Sequence, residues 1–198
     1  RDPNTFEAFT CLMPNTGFDG DKTRLQRNAK GELVWDWKRN TAPLNDDRWR
    51  TFLESGLVTA EETFNGVTDV MTKKPIRIHF GSASYNPYKR CWIMVFNESF
   101  GRSFLGEVWI AAAPAPQGPW TKACRIVTHH AEDEVYTFYN VAHHPLLNQD
   151  NGRVIYFEGT YVTTYSGNPN PTPRYNYNQI MYRLDLDDPR LASIWPRP

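Results

Sequence analysis

The sequence has no charge bias. Its 22 Lys and Arg balance 22 Asp and Glu, for a formal net charge of zero. That balance argues against the basic surface that nucleic acid or an anionic membrane would need. Long apolar runs are missing too. Cys91 to Phe96, as long as any, is strand length, far short of the roughly 20 residues of a membrane span. Neither nucleic acid nor membrane is an expected partner. Cysteine is scarce: Cys11, Cys91 and Cys124 are too few for a disulfide framework, and no CxxC pair marks a structural zinc. Cys91 and Cys124 both lie in strand-like segments, so a disulfide and two buried free thiols stay open, and the redox compartment with them. No Gly-rich phosphate loop, G-x-S-x-G elbow or H-E-x-x-H motif occurs. The opening Arg1-Asp-Pro-Asn4 is polar and does not read as a signal peptide. A mature or truncated product is the expectation.

What is present favours β structure. Hydrophobic residues make up 40% of the 198 and aromatics 14%, enough for a real core in one domain or a fragment of one. An aromatic, Pro-rich, neutral composition suits an ordinary β core. It also suits carbohydrate, because Trp and Tyr faces stack on the C–H faces of sugars. One helix is expected, at about 46–57, with Asp46 or Asp47 as cap, Trp49, Phe52 and Leu53 on its apolar face, and Gly56 at its end. Ile76, Ile78 and Phe80 alternate with polar residues, whereas Cys91–Phe96 is apolar throughout, as in a strand buried on both faces. Further strands are expected from Val108, over Val154–Phe157 and over Ile180–Tyr182, punctuated by turns such as Asn86–Lys89, Pro116–Pro119 and Asn148–Gly152.

A weak repeat runs through these strands. Three extended segments, Phe6–Thr10, Ile76–Ser84 and Tyr136–His144, are each followed by a polar turn and a strand beginning near Leu33, Cys91 or Val154. A period of about 60 residues built of short antiparallel strands suits propeller blades. A β-sandwich would not require it. The units fall at about 6–70, 76–128 and 136–191 of a single domain spanning 1–198. Propellers have about 4–8 blades. Three units therefore imply part of a longer chain, completion by another chain or copy, or unrecognised blades.

The residues Gly81–Asn86, Cys91–Phe96, Gly106–Ala113 and Gln117-Gly-Pro-Trp120 resemble a blade of the five-bladed propeller glycoside hydrolases, of the arabinanase, xylosidase and fructosidase type. The C-terminal half is similar to an uncharacterised bacterial family of the same type. The similarity rests on Phe138-Tyr-Asn140, His144-Pro145, Gly152–Tyr161, Thr172–Tyr175 and Tyr177–Leu186. Together these cover roughly residues 76–191. The resemblance implies an all-β, five-bladed type of propeller, of which this chain covers all or part. It places carbohydrate at a central funnel lined by the first strand of each blade, and it makes a calcium ion in that channel a candidate cofactor.

On that mapping Glu7 looks like the general acid. Glycoside hydrolysis needs one protonated carboxyl and a second, ionised one. The second is not identified, which leaves the enzyme question open. His79, on the second leading segment, is a candidate calcium or substrate contact. His144 and Asn140, on the third, are candidates for shaping the pocket and bonding sugar hydroxyls, with Tyr161, Arg174 and Tyr175 as a further rim. The long loop at 163–177 carries Arg174 and Tyr175. His129, His130, His143 and His144 suggest a transition metal only weakly, because adjacent strand residues face opposite sides. Glu98, Glu107 and Glu158 read as structural carboxylates. Arg174 or Arg183 is the expected partner of Glu158, and Glu98 its expected equivalent one blade earlier. The function expected is a carbohydrate-active protein, a glycoside hydrolase if catalytic. A non-catalytic propeller that binds glycan or protein, or a structural subunit, is the alternative. An extracellular or periplasmic location is the working expectation, although no residue pattern assigns it.

Overall fold

A computed structural model describes residues 6–62, 64, 66–101, 105–129, 137–162 and 177–196. Among them are ten strands and one α-helix, so the chain is mostly β. The strands form three sheets, none of them closed. No helix among the described residues is long and apolar enough to cross a membrane. The chain divides into two compact units, residues 1–63 and 64–198.

In the first unit, β1 (Glu7–Thr10) pairs antiparallel with β2 (Asp36–Arg39), placing Glu7 opposite Arg39 and Phe9 opposite Trp37. Helix α1 spans Asp46–Glu54. Its cap is Asn45, whose side chain accepts a hydrogen bond from the Arg48 N–H. Asp46 and Asp47, the expected caps, sit in the first turn, where negative charge favours the helix N-terminus. The helix stops short of residue 57 because Gly56 adopts a left-handed φ of 72°. Leu12, Phe52 and Val58 are the buried centre, with Leu25, Leu33 and Trp49 packed around them. The expected blade at about 6–70 shows two strands and a helix over 6–62, and Thr68–Asp69 joins the second unit's sheet.

The second unit holds two sheets. The strands β3 (Thr68–Asp69), β4 (Ile78–Asn86), β5 (Cys91–Glu98), β6 (Glu107–Ala113) and β7 (Lys122–Thr128) form a sheet in the order β3-β7-β6-β5-β4. From β4 to β7 each strand pairs antiparallel with the next, and only β3 is parallel to its neighbour. The strands β8 (Thr137–His143), β9 (Val154–Val162) and β10 (Asn178–Asp185) form a second antiparallel meander. The β5 and β9 strands begin at Cys91 and Val154, where the turn signals place them.

The apolar run of β5 is buried on the face of Ile93 and Val95, while on the other face Phe96 is buried and Trp92 and Met94 are half-buried, less than the burial on both faces its composition predicts. Ile93 and Val95 pack with Val108 and Ile110 of β6 and with Phe138, Val141, Ile155 and Phe157 of the second sheet. On the other face, Phe96 and Trp109 pack with Ala111, Ala113 and Trp120. The small alanines leave room for the Trp120 indole of the Gly-Pro-Trp turn. All three cysteines are buried free thiols, which answers the question left open for Cys91 and Cys124. Burial pushes the Cys11 thiol up to about 11 and raises the other two, so none is poised as a thiolate.

Side chains tie the two sheets of this unit together. Asn97, fully buried on β5, donates to the Phe138 carbonyl at 2.8 Å and accepts from the Val141 N–H at 3.4 Å. Ser82 of β4 accepts from the His143 N–H at 2.7 Å. The His143 ring contacts Ser84 Oγ through Nδ1 at 2.8 Å and Asn148 Oδ1 through Nε2 at 2.9 Å. An amide oxygen only accepts, so Nε2 carries the proton and Nδ1 accepts from Ser84. The bond from Ser84 requires an unprotonated Nδ1, whereas the bond to Asn148 is made in either state.

That requirement gives a pH prediction. Burial holds the His143 and His129 rings below the ordinary histidine pKa. The unfolded chain therefore takes up protons first as pH falls. The stability from these neutral rings is fully present above about pH 6.5 and declines below it, by up to about 1.4 kcal/mol per pH unit for each ring. Thermal unfolding at pH 7.5 and pH 5.5 should show a lower Tm at pH 5.5, and His143→Gln should reduce that difference.

Candidate functional site

In the first unit, Glu7 stands at the lip of an open cavity of about 540 Å³. Phe6, Asn15, Thr16, Asn40 and Thr41 share the lining, and among the described residues no other carboxylate does. Two turns build it: Asn15 and Asn40 both take left-handed backbone, with φ of 60° and 49°, a conformation asparagine tolerates better than most residues. Thr41 Oγ1 accepts from the Asn15 N–H at 3.0 Å and donates to the Arg39 carbonyl, pinning the turns together. Thr16 Oγ1 is used on the Met13 carbonyl. The carboxamides of Asn15 and Asn40 are left without a hydrogen bond to described residues. Glu7 pairs with Arg39 at 3.0 Å, and both are exposed. Phe6 is 60% exposed, so its ring face meets solvent at the rim. Sequence reasoning singled out Glu7 but missed the two asparagines. Their signal was the matched Asn-Thr pairs, Asn15-Thr16 and Asn40-Thr41.

The second unit presents its candidates through a recurring backbone irregularity. In β4, Ile78 pairs with Glu98 and Gly81 with Phe96, so His79 and Phe80 oppose the single residue Asn97. In β8, Tyr139 pairs with Thr160 and Ala142 with Glu158, so Asn140 and Val141 oppose the single residue Gly159. The same two-against-one bulge thus recurs on the first strand of consecutive sheets, with His79 and Asn140 in equivalent positions. Bulges re-aim side chains and are common beside functional sites. Both residues are exposed, and Asn140 takes a left-handed φ of 55°.

Register corrects one sequence expectation. The equivalent of Glu158 is Phe96, and the equivalent of Glu98 is Thr160. Among the described residues Glu158 contacts His144, whose Nε2 lies 3.0 Å from Oε1. The contact is not a hydrogen bond. Arg183 lies on β10 opposite Tyr156, two pairs along from Glu158. Arg174 and Tyr175 lie outside the described residues, as does His130.

Glu98 and Glu107 face one another near the ends of β5 and β6. The Trp109 indole donates to Glu98 at 2.9 Å, yet burial and the nearby Glu107 raise the Glu98 pKa. Glu107 is 1% exposed, accepts from Thr128 at 2.9 Å and sits 3.2 Å from the Arg125 guanidinium. Tyr161 turns into the core, its ring 5.6 Å from that of His129. His129 itself contacts the Gly106 carbonyl and the Tyr182 hydroxyl through its two ring nitrogens and stacks on Phe138. Both nitrogens are therefore engaged.

Among the described residues no group of three or more His, Cys, Asp or Glu side chains converges to hold a metal ion. His79 stands exposed on its bulge, without carboxylates gathered around it to make an oxygen cage for calcium. The site residues thus fall into two sets, the cavity at Glu7 and the bulge positions His79 and Asn140. No family model, curated protein or solved structure matches this chain.

Proposed function

We propose that this chain binds carbohydrate on a propeller-like scaffold of the five-bladed hydrolase type, with the cavity at Glu7 as a saccharide site. The observation that carries the reading is the cavity's lining. Two uncommitted carboxamides and one carboxylate can pair with vicinal hydroxyls, and the exposed Phe6 ring offers a face for sugar C–H groups. Its volume of about 540 Å³ suits a mono- or disaccharide. The architectural half rests on the four-stranded meander β4–β7, on the β8–β10 meander packed beside it through the first strand, and on the bulge they share. Completion of the ring by further chain or another copy belongs to the same proposal.

Binding stands ahead of hydrolysis because no second carboxylate among the described residues lines the cavity with Glu7. Hydrolysis needs two, about 5–10 Å apart. Isothermal titration with neutral mono- and disaccharides is expected to give saturable binding. The double substitution Asn15→Ala/Asn40→Ala should weaken it at least about tenfold, roughly one hydrogen bond's worth per amide. Absence of saturable heat with every saccharide overturns the reading. Turnover of aryl glycosides that vanishes in Glu7→Gln would replace it with hydrolysis.

A further inference from the structure

A second cleft lies in the second unit, between the turn joining β6 to β7 and the segment Ala192–Pro196. Its volume is about 470 Å³. Pro114, Pro119 and the Trp195 indole form its apolar walls, and Thr121, Lys122 and Ser193 supply its polar side chains. No carboxylate side chain of a described residue lines it.

The polar groups are uncommitted. The side chains of Thr121, Lys122 and Ser193 make no hydrogen bond or ion pair with described residues, and neither does the Trp195 indole N–H. Other nearby cations are already paired. Lys89, whose ammonium lies 4.9 Å from the Trp195 ring centre, is held by Asp187 at 2.8 Å. Arg190 is held by Asp188. Among the described residues Lys122 is thus the only charged side chain lining the cleft, and no described carboxylate pairs with it. An ammonium, an indole N–H and two hydroxyls can all donate, so the side chains complement an acceptor-rich anion. The proline and indole walls complement a ring-sized apolar face beside that anion.

We propose that this cleft binds a small organic carboxylate on a sugar-sized ring, with Lys122 pairing the carboxylate, Thr121 and Ser193 donating to ring oxygens and Trp195 lining the ring face. The site is separate from the cavity at Glu7 and does not depend on it.

The test uses the whole chain and follows tryptophan fluorescence during titration with glucuronate. Glucose serves as the uncharged comparator, inorganic phosphate as the bare anion. Saturable binding of glucuronate is expected, weakened at least about tenfold in Lys122→Ala, since tenfold is about 1.4 kcal/mol. Thr121→Ala/Ser193→Ala, both exposed positions, should weaken it while leaving Tm unchanged. Asn15→Ala/Asn40→Ala should leave it unchanged. The proposal fails if glucuronate gives no saturable change. It fails equally if Lys122→Ala binds as well as the unmodified chain, if glucose binds as tightly to the Asn15→Ala/Asn40→Ala chain, in which the Glu7 cavity is disabled, or if phosphate competes at equal affinity, which would reduce the cleft to a simple anion site.

Discussion

Gly81→Ala is expected to lower the folding free energy by about 3 kcal/mol, at the upper end of what overpacking costs. A Cβ at this position would lie 2.4 Å from the Val95 carbonyl oxygen, 2.5 Å from Phe96 Cβ and 2.7 Å from Phe96 Cα. These are backbone atoms and a backbone-attached carbon of the neighbouring strand, so no side-chain rotation relieves the clash. β4 must move off β5 where its bulge ends, and Phe96 is fully buried there. Two other alanine substitutions serve as controls. Gly17→Ala meets nothing within 4 Å, and Gly101→Ala meets only the flexible end of Glu98. Urea denaturation should move the midpoint strongly for Gly81→Ala and little for either control. Equal, small shifts in all three would contradict the close approach of β4 to β5.

Asn97→Ala is the second large expectation, with a loss of about 2–4 kcal/mol. Its carboxamide reaches the Phe138 carbonyl, the Val141 N–H and, at 3.4 Å, the Leu105 carbonyl. Val141 lies in the β8 bulge and Phe138 two residues before it, where the strand ladder is interrupted. Asn97 therefore supplies hydrogen bonds at the point where the sheet gives them up. Its removal leaves buried backbone groups short of partners at a cost of about 1–3 kcal/mol each, partly offset by relaxation. The loss should also be local. Amide exchange at Val141 is expected to accelerate more in Asn97→Ala than exchange at Ile110, which lies inside the β6 ladder. Uniform acceleration would mean that Asn97 supports the fold in general and not the bulge in particular.

Strand positions were legible in the sequence because composition alone marks them. The apolar run at Cys91 and the run at Val154 each follow a polar turn, and the strands begin on those residues. The helix was legible to within a few residues, but its cap was not. Asn45, Asp46 and Asp47 are all competent caps, and only backbone geometry separates them. The bulges were illegible, since a bulge is a relation between two strands and no single strand encodes it. That is why Glu98 and Glu158 looked equivalent: both occupy the latter part of an apolar strand. Register separates them, and it brings Glu158 opposite Ala142, within reach of His144 on the same face. Arg183 lies at the same offset from Glu158 on the other neighbouring strand, and of these two described residues His144 makes the contact.

The first unit resisted the repeat for a related reason. Its long polar connection from Met13 to Glu32 carries turns and a 3-10 segment at Gly20–Lys22 where a regular blade would carry strands. Those same turns make the cavity. Glu7 drew attention as a carboxylate on a leading strand, whereas Asn15 and Asn40 read as ordinary turn residues. Their importance lies in being brought together from both sides of β2, which only the folded chain displays.

The most direct measurement is a 1H–15N correlation experiment on the whole chain during addition of the saccharide that binds best by calorimetry. Saccharide binding at Glu7 predicts that backbone amides of Glu7, Asn15–Gly17 and Asn40–Ala42 shift progressively and saturate together, while those of β5 and β6 stay in place. Saturating shifts confined to other residues, or no shift in these three segments at ligand concentrations that saturate the calorimetric signal, would contradict it.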